Sequence, residues 1–249
     1  MRLENVTRLP ADSIQNDHLR LDYLTTAGPR IVGLSYRGSA NLLAEVPDAY
    51  ADTPNGPYWF RGGHRLWRSP ELMPETYAPD HEGLLVERLP DGVVLAQPVP
   101  GGISKRIEIQ LEPTRAACRL THRLTNSGDQ TVRLAPWALT MLRLGGVGIF
   151  PQPTAPADPG ELLPNRKLVL WPYTHMNDER VTWGDQAALV KAAPQLPPLK
   201  FGYLNLDGWM GYAMDGLLFM KRFDVLKDAE YPDYGCNCET YANHRFIEL

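Results

Sequence analysis

The chain has 249 residues, 43% of them hydrophobic, with a formal net charge of −4 and a pI near 5.9. That length holds one large all-β or α/β domain with a sizeable core, and the acidic balance argues against a nucleic-acid partner, which needs a basic excess or stripe. The three cysteines, Cys118, Cys236 and Cys238, do not make a disulfide framework. Met1 to Asn16 carries no apolar run of the kind a signal peptide needs, and no stretch reaches the roughly 18 apolar residues of a membrane span. These features predict a soluble protein in a reducing, cytoplasmic setting, with no membrane partner.

In chain order, Leu19, Leu21 and Tyr23 alternate with Arg20 and Asp22, the period of a half-buried strand. Ala40 to Glu45 is a short helix candidate. Leu84-Leu85-Val86 and Val93-Val94-Leu95 flank the turn signal Pro90-Asp91-Gly92, which predicts a β-hairpin. Ile107, Ile109 and Leu111 alternate with Glu108 and Gln110, and Cys118, Leu120, His122 and Leu124 with Arg119, Thr121 and Arg123. Asn126-Ser127-Gly128-Asp129 reads as a turn, with Val132 and Leu134 on one face of a following strand. Pro136 to Leu144 is a second short helix candidate. Pro151 to Pro164 and Ala192 to Pro198 read as ordered loops, and Gly216 to Phe223 as another short apolar run. With 23 prolines, 21 glycines and little helical periodicity, the expected fold is one all-β domain over 1–249, a sandwich of antiparallel strands.

The densest chemistry lies in Arg61-Gly62-Gly63-His64-Arg65-Leu66-Trp67-Arg68-Ser69-Pro70-Glu71. Unpaired buried charge is expensive, so a plain core segment would not carry this mixture. Arginines fork onto oxygens, an aromatic face covers C–H surface, and a titratable pair moves protons. A solvated loop with one packed tryptophan is the plain alternative. A second segment is Cys236-Asn237-Cys238-Glu239-Thr240-Tyr241. As a strand it sends Asn237, Glu239 and Tyr241 to one face and the cysteines to the other, so a carboxylate suited to general-base work sits between an amide and a phenol. Ordinary polar residues on an exposed strand give the same pattern. Trp171-Pro172-Tyr173-Thr174-His175 suits a pocket rim, and Lys200 beside Gly202 suits a ligand contact or a solvated surface. Trp137 and His122 read as core residues. Cys236 and Cys238 are too close for the usual zinc spacing, and H-E-x-x-H, G-x-S-x-G and phosphate-loop patterns are absent from the sequence. Neither metal nor cofactor is expected.

Several of these pieces resemble the galactose-mutarotase-like superfamily, and more closely its branch known as DUF4380. They are Gly62-Gly63-His64-Arg65-Leu66-Trp67 with Pro70-Glu71, Tyr77-Ala78-Pro79-Asp80, Ala135-Pro136-Trp137-Ala138-Leu139-Thr140, and Leu170-Trp171-Pro172-Tyr173. Lys200-Phe201-Gly202, Tyr231-Pro232-Asp233-Tyr234-Gly235 with Glu239-Thr240-Tyr241, and Ile247-Glu248-Leu249 complete the ordered set. The resemblance implies a β-supersandwich with a sugar site on a concave sheet face. It also implies the acid/base chemistry of an aldose 1-epimerase, with His64 as general acid and Glu239 as general base. Arg61, Arg65, Trp67, Glu71, His175, Lys200, Asn237 and Tyr241 are the expected substrate-binding residues, for a neutral sugar or an acidic sugar derivative. The second histidine usual in such epimerases has only His175 and His122 as candidates here. The resemblance also implies a further strand beyond Leu249, so that a truncated or remodelled end leaves an edge open to homodimer pairing. A non-catalytic carbohydrate-binding protein on the same fold is the competing expectation.

Overall fold

The computed structural model describes residues 9–226 and 228–249; the first half of the leader reading over Met1–Asn16 lies outside them. The chain forms two compact units, Met1–Met141 and Leu142–Leu249. Its strands are β1 (Ala11–Gln15), β2 (Leu19–Leu24), β3 (Arg30–Tyr36), β4 (Glu45–Ala51), β5 (Tyr58–Gly62), β6 (His64–Ser69), β7 (Leu85–Leu89), β8 (Gly92–Gln97), β9 (Ile103–Leu111) and β10 (Cys118–Asn126). β11 (Ala135–Arg143) crosses the boundary between the units. Then come β12 (Val147–Pro151), β13 (Leu168–Leu170), β14 (Val181–Trp183), β15 (Ala187–Lys191), β16 (Leu199–Tyr203), β17 (Trp209–Met214), β18 (Leu217–Arg222), β19 (Cys238–Ala242) and β20 (Phe246–Glu248). The architecture is all-β and every described pairing is antiparallel. Among the described residues, no helix is long and apolar enough to cross a membrane.

In the first unit, β1, β2, β3, β6 and β11 lie side by side in that order, β10-β9-β8-β7 form a second sheet, and β4 pairs with β5. Side-chain alternation sets what is buried. Leu19, Leu21 and Tyr23 of β2 point inward, as do Ile107, Ile109 and Leu111 of β9. β7 and β8 form the expected hairpin, Leu89 opposite Gly92.

Three expectations are corrected. Pro136 to Leu144 lies almost wholly in strand β11, not a helix, with Met141 and Leu142 fully buried on opposite faces. A strand covered on both sides gives a near-continuous apolar run, which mimics a short helix. Ala40 to Glu45 forms no helix either; Asn41 instead ties the loop down, accepting from the backbone N–H of Leu34 and Leu43. Val132 and Leu134 precede β11 in irregular chain, with Val132 39% exposed.

In the second unit, β20-β19-β16-β13 form one sheet and β14-β15-β12-β17-β18 another. Phe150 of β12 meets Phe201 and Tyr203 of β16 edge-on, with centroids 5.5 and 6.5 Å apart, and these buried rings anchor that core.

Candidate functional site

The Arg61–Glu71 segment is built on a backbone that only glycine tolerates at two points. Gly62 (φ 91°) and Gly63 (φ 71°) join β5 to β6 in the left-handed region, and a Cβ on either would sit 1.9 Å from a carbonyl oxygen, Ala44's or Ile31's. Arg61 (φ 57°) shares that conformation without being glycine.

Beyond this corner, β6 is buried on both faces, so alternation separates residues that are adjacent in sequence. His64 lies opposite Thr140 of β11, and its Nδ1 is 2.9 Å from Thr140 Oγ1. Its Nε2 is 2.8 Å from Nε2 of His122 on β10. One ring donates and the other accepts, so the contact requires at least one neutral imidazole. His122 was readable in sequence only as a histidine on an apolar strand face; the structure makes it the partner of His64.

Arg65 and Trp67 project from the other face of β6. Trp67 was expected to stack on a sugar, but it is 3% exposed, donates its indole N–H to Tyr58 Oη (2.8 Å) and lies under the Arg65 guanidinium, 4.1 Å from a ring centroid. With Tyr58, Phe60, Tyr77, Trp137 and Leu139 it forms an aromatic core. Trp67 is therefore an internal brace, and Trp137 belongs to the core as expected. Glu71 is exposed and accepts a hydrogen bond from Tyr77.

Arg61 turns toward Asp80, a residue that sequence reasoning quoted in a motif but gave no role. Asp80 Oδ1 accepts from Arg61 Nη1 at 2.5 Å and Oδ2 from Arg30 Nη2 at 2.9 Å. Arg30 is fully buried and also donates to Tyr58 Oη and to the Phe60 carbonyl. Burial opposes ionisation of Asp80, yet the charges of Arg30, Arg61 and Lys105 hold its carboxyl below the usual range.

In the second unit the burial alternation predicted for 236–241 is present. Cys236 and Cys238 are buried, and Asn237, Glu239 and Tyr241 are half-buried. Register puts Gly202 opposite Glu239 and Lys200 opposite Tyr241. Lys200 thus lies on the diagonal from Glu239, within reach of a long side chain, and its Nζ is 2.9 Å from Glu239 Oε2. A Cβ at Gly202 would come within 2.9 Å of Cys236 Sγ and 3.3 Å of Glu239 Cγ, so the glycine makes room first for the Cys236 thiol and then for the Glu239 methylene.

Lys200 is 6% exposed, which rules out the plain alternative of a solvated lysine. Its Nζ lies 4.0 Å from the Trp171 ring centroid, and its backbone is clamped by Thr174, whose Oγ1 bonds both the N–H and the C=O of Lys200. Tyr173 and Tyr241 meet edge-on at 6.4 Å. Burial pushes the Glu239 carboxyl up to about 7, against the opposing pull of Lys200 and with help from Asp233.

Two expected members stand apart from this group. Asn237 is spent on the loop before β17, exchanging hydrogen bonds with the backbone of Asn205. His175 is exposed and acts on Asp178, which is ion-paired with Arg180.

Burial pushes the Cys236 and Cys238 thiols up to about 12 and that of Cys118 to about 11, so all three are poor nucleophiles and metal ligands at neutral pH. Among the described residues, no group of three or more His, Cys, Asp or Glu is placed to hold a metal ion. No protein-family model, curated protein or solved structure matches this chain.

Proposed function

We propose that the protein binds a monosaccharide or sugar derivative and acts on it by acid/base ring opening of the aldose 1-epimerase kind, on a galactose-mutarotase-like β-supersandwich. The observation that carries this reading is Glu239. It is a strand-borne carboxylate raised to about 7, beside a clamped lysine whose Nζ lies 4.0 Å from the Trp171 ring centroid. A general base works best with a pKa near the operating pH, and each positioned proton-transfer group contributes about 10²–10⁴-fold. Mutarotation needs no cofactor. A base takes the proton of the anomeric hydroxyl while an acid protonates the ring oxygen. The ring opens to the aldehyde, C1–C2 rotates, and the ring closes on the other face. Glu239 is the base in this scheme, and the resemblance assigns the acid to His64, whose role is tested separately.

The second reading, a sugar-binding protein without turnover, is favoured by one observation. Both ring nitrogens of His64 are already engaged, by Thr140 and His122, at 4% exposure.

Anomeric exchange by NMR, over neutral hexoses, hexose phosphates and uronates, separates the two. Exchange that the protein accelerates and that Glu239→Gln abolishes, with ligand line broadening retained, establishes the epimerase; His64→Gln then reports on the acid. Line broadening without exchange establishes the binding protein, and neither effect on any sugar overturns both readings.

A further inference from the structure

The first unit gathers positive charge where a core would ordinarily balance it. Arg30 is fully buried, the Arg61 side chain is 8% exposed and Lys105 is 7% exposed, all around one carboxylate, Asp80. Asp80 is committed through both oxygens to the two arginines. Among the described residues, Lys105 forms no hydrogen bond and no ion pair within 4.0 Å through its amine. The Nε atoms of Arg30 and Arg61 are buried without an acceptor. Three cations against one anion leave two positive charges uncompensated within the group.

The placement of Lys105 is unusual for its type. Alternation along β9 puts it on the same inward face as Ile107, Ile109 and Leu111, where an apolar side chain would pack. Burial pushes its ammonium down, Arg30 and Arg65 push the same way, and only Asp80 opposes them. A buried cation without a counter-ion is costly, and proteins retain one where it meets a partner. Arg61 adds a second cost, since it holds a left-handed backbone without being glycine. Strain of this kind collects at ligand sites.

We propose that Arg30, Arg61 and Lys105 form a site for the oxyanion group of a small ligand, a phosphate or a carboxylate. Arg30 spends both terminal nitrogens on Phe60, Tyr58 and Asp80, so it and Arg61 offer the oxyanion their unpartnered Nε–H groups and their charge, while Lys105 supplies the point charge. Asp80 fixes the two guanidinium planes without neutralising the set. This site stands independently of the sugar reading.

The test uses Lys105→Met, a swap of similar shape that removes the charge, with Arg61→Gln as a second variant from a different strand. Thermal unfolding is followed against inorganic phosphate, glucose 6-phosphate, glucuronate and glucose, with chloride matching the ionic strength, and 31P line width is followed in parallel. The wild-type midpoint should climb with the logarithm of anion concentration, as for any ligand bound only by the folded state. Lys105→Met should start higher and stay flat, and the wild-type 31P broadening should vanish with it. A response to phosphate or to glucuronate alone identifies which oxyanion the site takes. Equal responses of wild type and both variants to every anion, or no response at all, overturn the proposal. Glucose carries no anion, so a response to it bears only on the sugar reading.

Discussion

Asp80→Asn is the sharpest test of how the first unit is held together. Asp80 accepts two charge-assisted hydrogen bonds, from Arg30 and from Arg61, with its own side chain 5% exposed. Such bonds are worth about 1.5–3 kcal/mol each. An amide keeps one acceptor and turns an N–H₂ donor toward the other guanidinium, so one bond is lost and donor faces donor. It also removes the only negative charge among Arg30, Arg61 and Lys105. Removing one partner of a buried pair costs roughly 3–5 kcal/mol. At about 3–5 °C per kcal/mol for a unit of this size, the midpoint should fall by about 9–25 °C. Urea unfolding monitored by tryptophan fluorescence reads the same quantity as a lower midpoint at unchanged slope.

The double variant Asp80→Asn with Arg61→Gln should be less destabilised than the sum of the singles, because Arg61→Gln removes a cation that Asp80→Asn leaves exposed to repulsion. Because the carboxyl is held below its unfolded value of 3.8, its contribution is complete above that pH. It drains away as the pH falls through the lower folded value. A loss under about 1 kcal/mol, with additive singles, would refute the reasoning, since that is the behaviour of a solvent-screened pair.

Three further outcomes follow from the geometry. Gly63→Ala should cost about 3–5 kcal/mol, combining left-handed strain with a Cβ 1.9 Å from the Ile31 carbonyl oxygen. Gly38→Ala, at φ 78° with nothing within 4 Å, should cost only about 1 kcal/mol; equal midpoints for the two variants in thermal unfolding would show that the close approach is absent. For Glu239, a folded value of about 7 against 4.5 unfolded means the folded state holds the proton more tightly. Its stabilising contribution is complete below about pH 4.5, is lost as the pH rises through 7, and amounts to at most about 3–4 kcal/mol at 1.36 kcal/mol per unit. Lys200→Met should raise the Glu239 value further and move the acid limb of any turnover profile to higher pH; an unmoved limb would remove Lys200 from the electrostatics of that carboxylate.

The strand framework was legible because period-two burial is written locally. Leu19, Leu21 and Tyr23, or Ile107, Ile109 and Leu111, need only one covered face to show it. Legibility failed where both faces are covered. β11 reads as a nearly continuous apolar run from Trp137 to Leu142, broken only by Thr140, and nothing in that run separates a doubly buried strand from a short helix. It failed again at Ala40 to Glu45, where the structure is set by one asparagine side chain capturing backbone groups of neighbouring residues.

The candidate site was legible as residue types and not as pairings, and the reason is the same alternation. His64, Arg65 and Trp67 form one word in the sequence, yet a strand necessarily sends His64 to one side and Arg65 with Trp67 to the other. Each then finds its partner at a distance no local pattern encodes: His64 on β10, Arg61 at Asp80, Trp67 at Tyr58. Lys200 and Glu239 were both singled out, but only cross-strand register makes them a pair. The signal that does survive in sequence is a polar residue on an apolar face. His122 among Cys118, Leu120 and Leu124 and Lys105 ahead of Ile107 and Ile109 break their strand patterns in the same way. A strand gains nothing by burying such a group unless something faces it. His122 faces His64, and by the same logic the two uncompensated charges around Lys105 call for an anion.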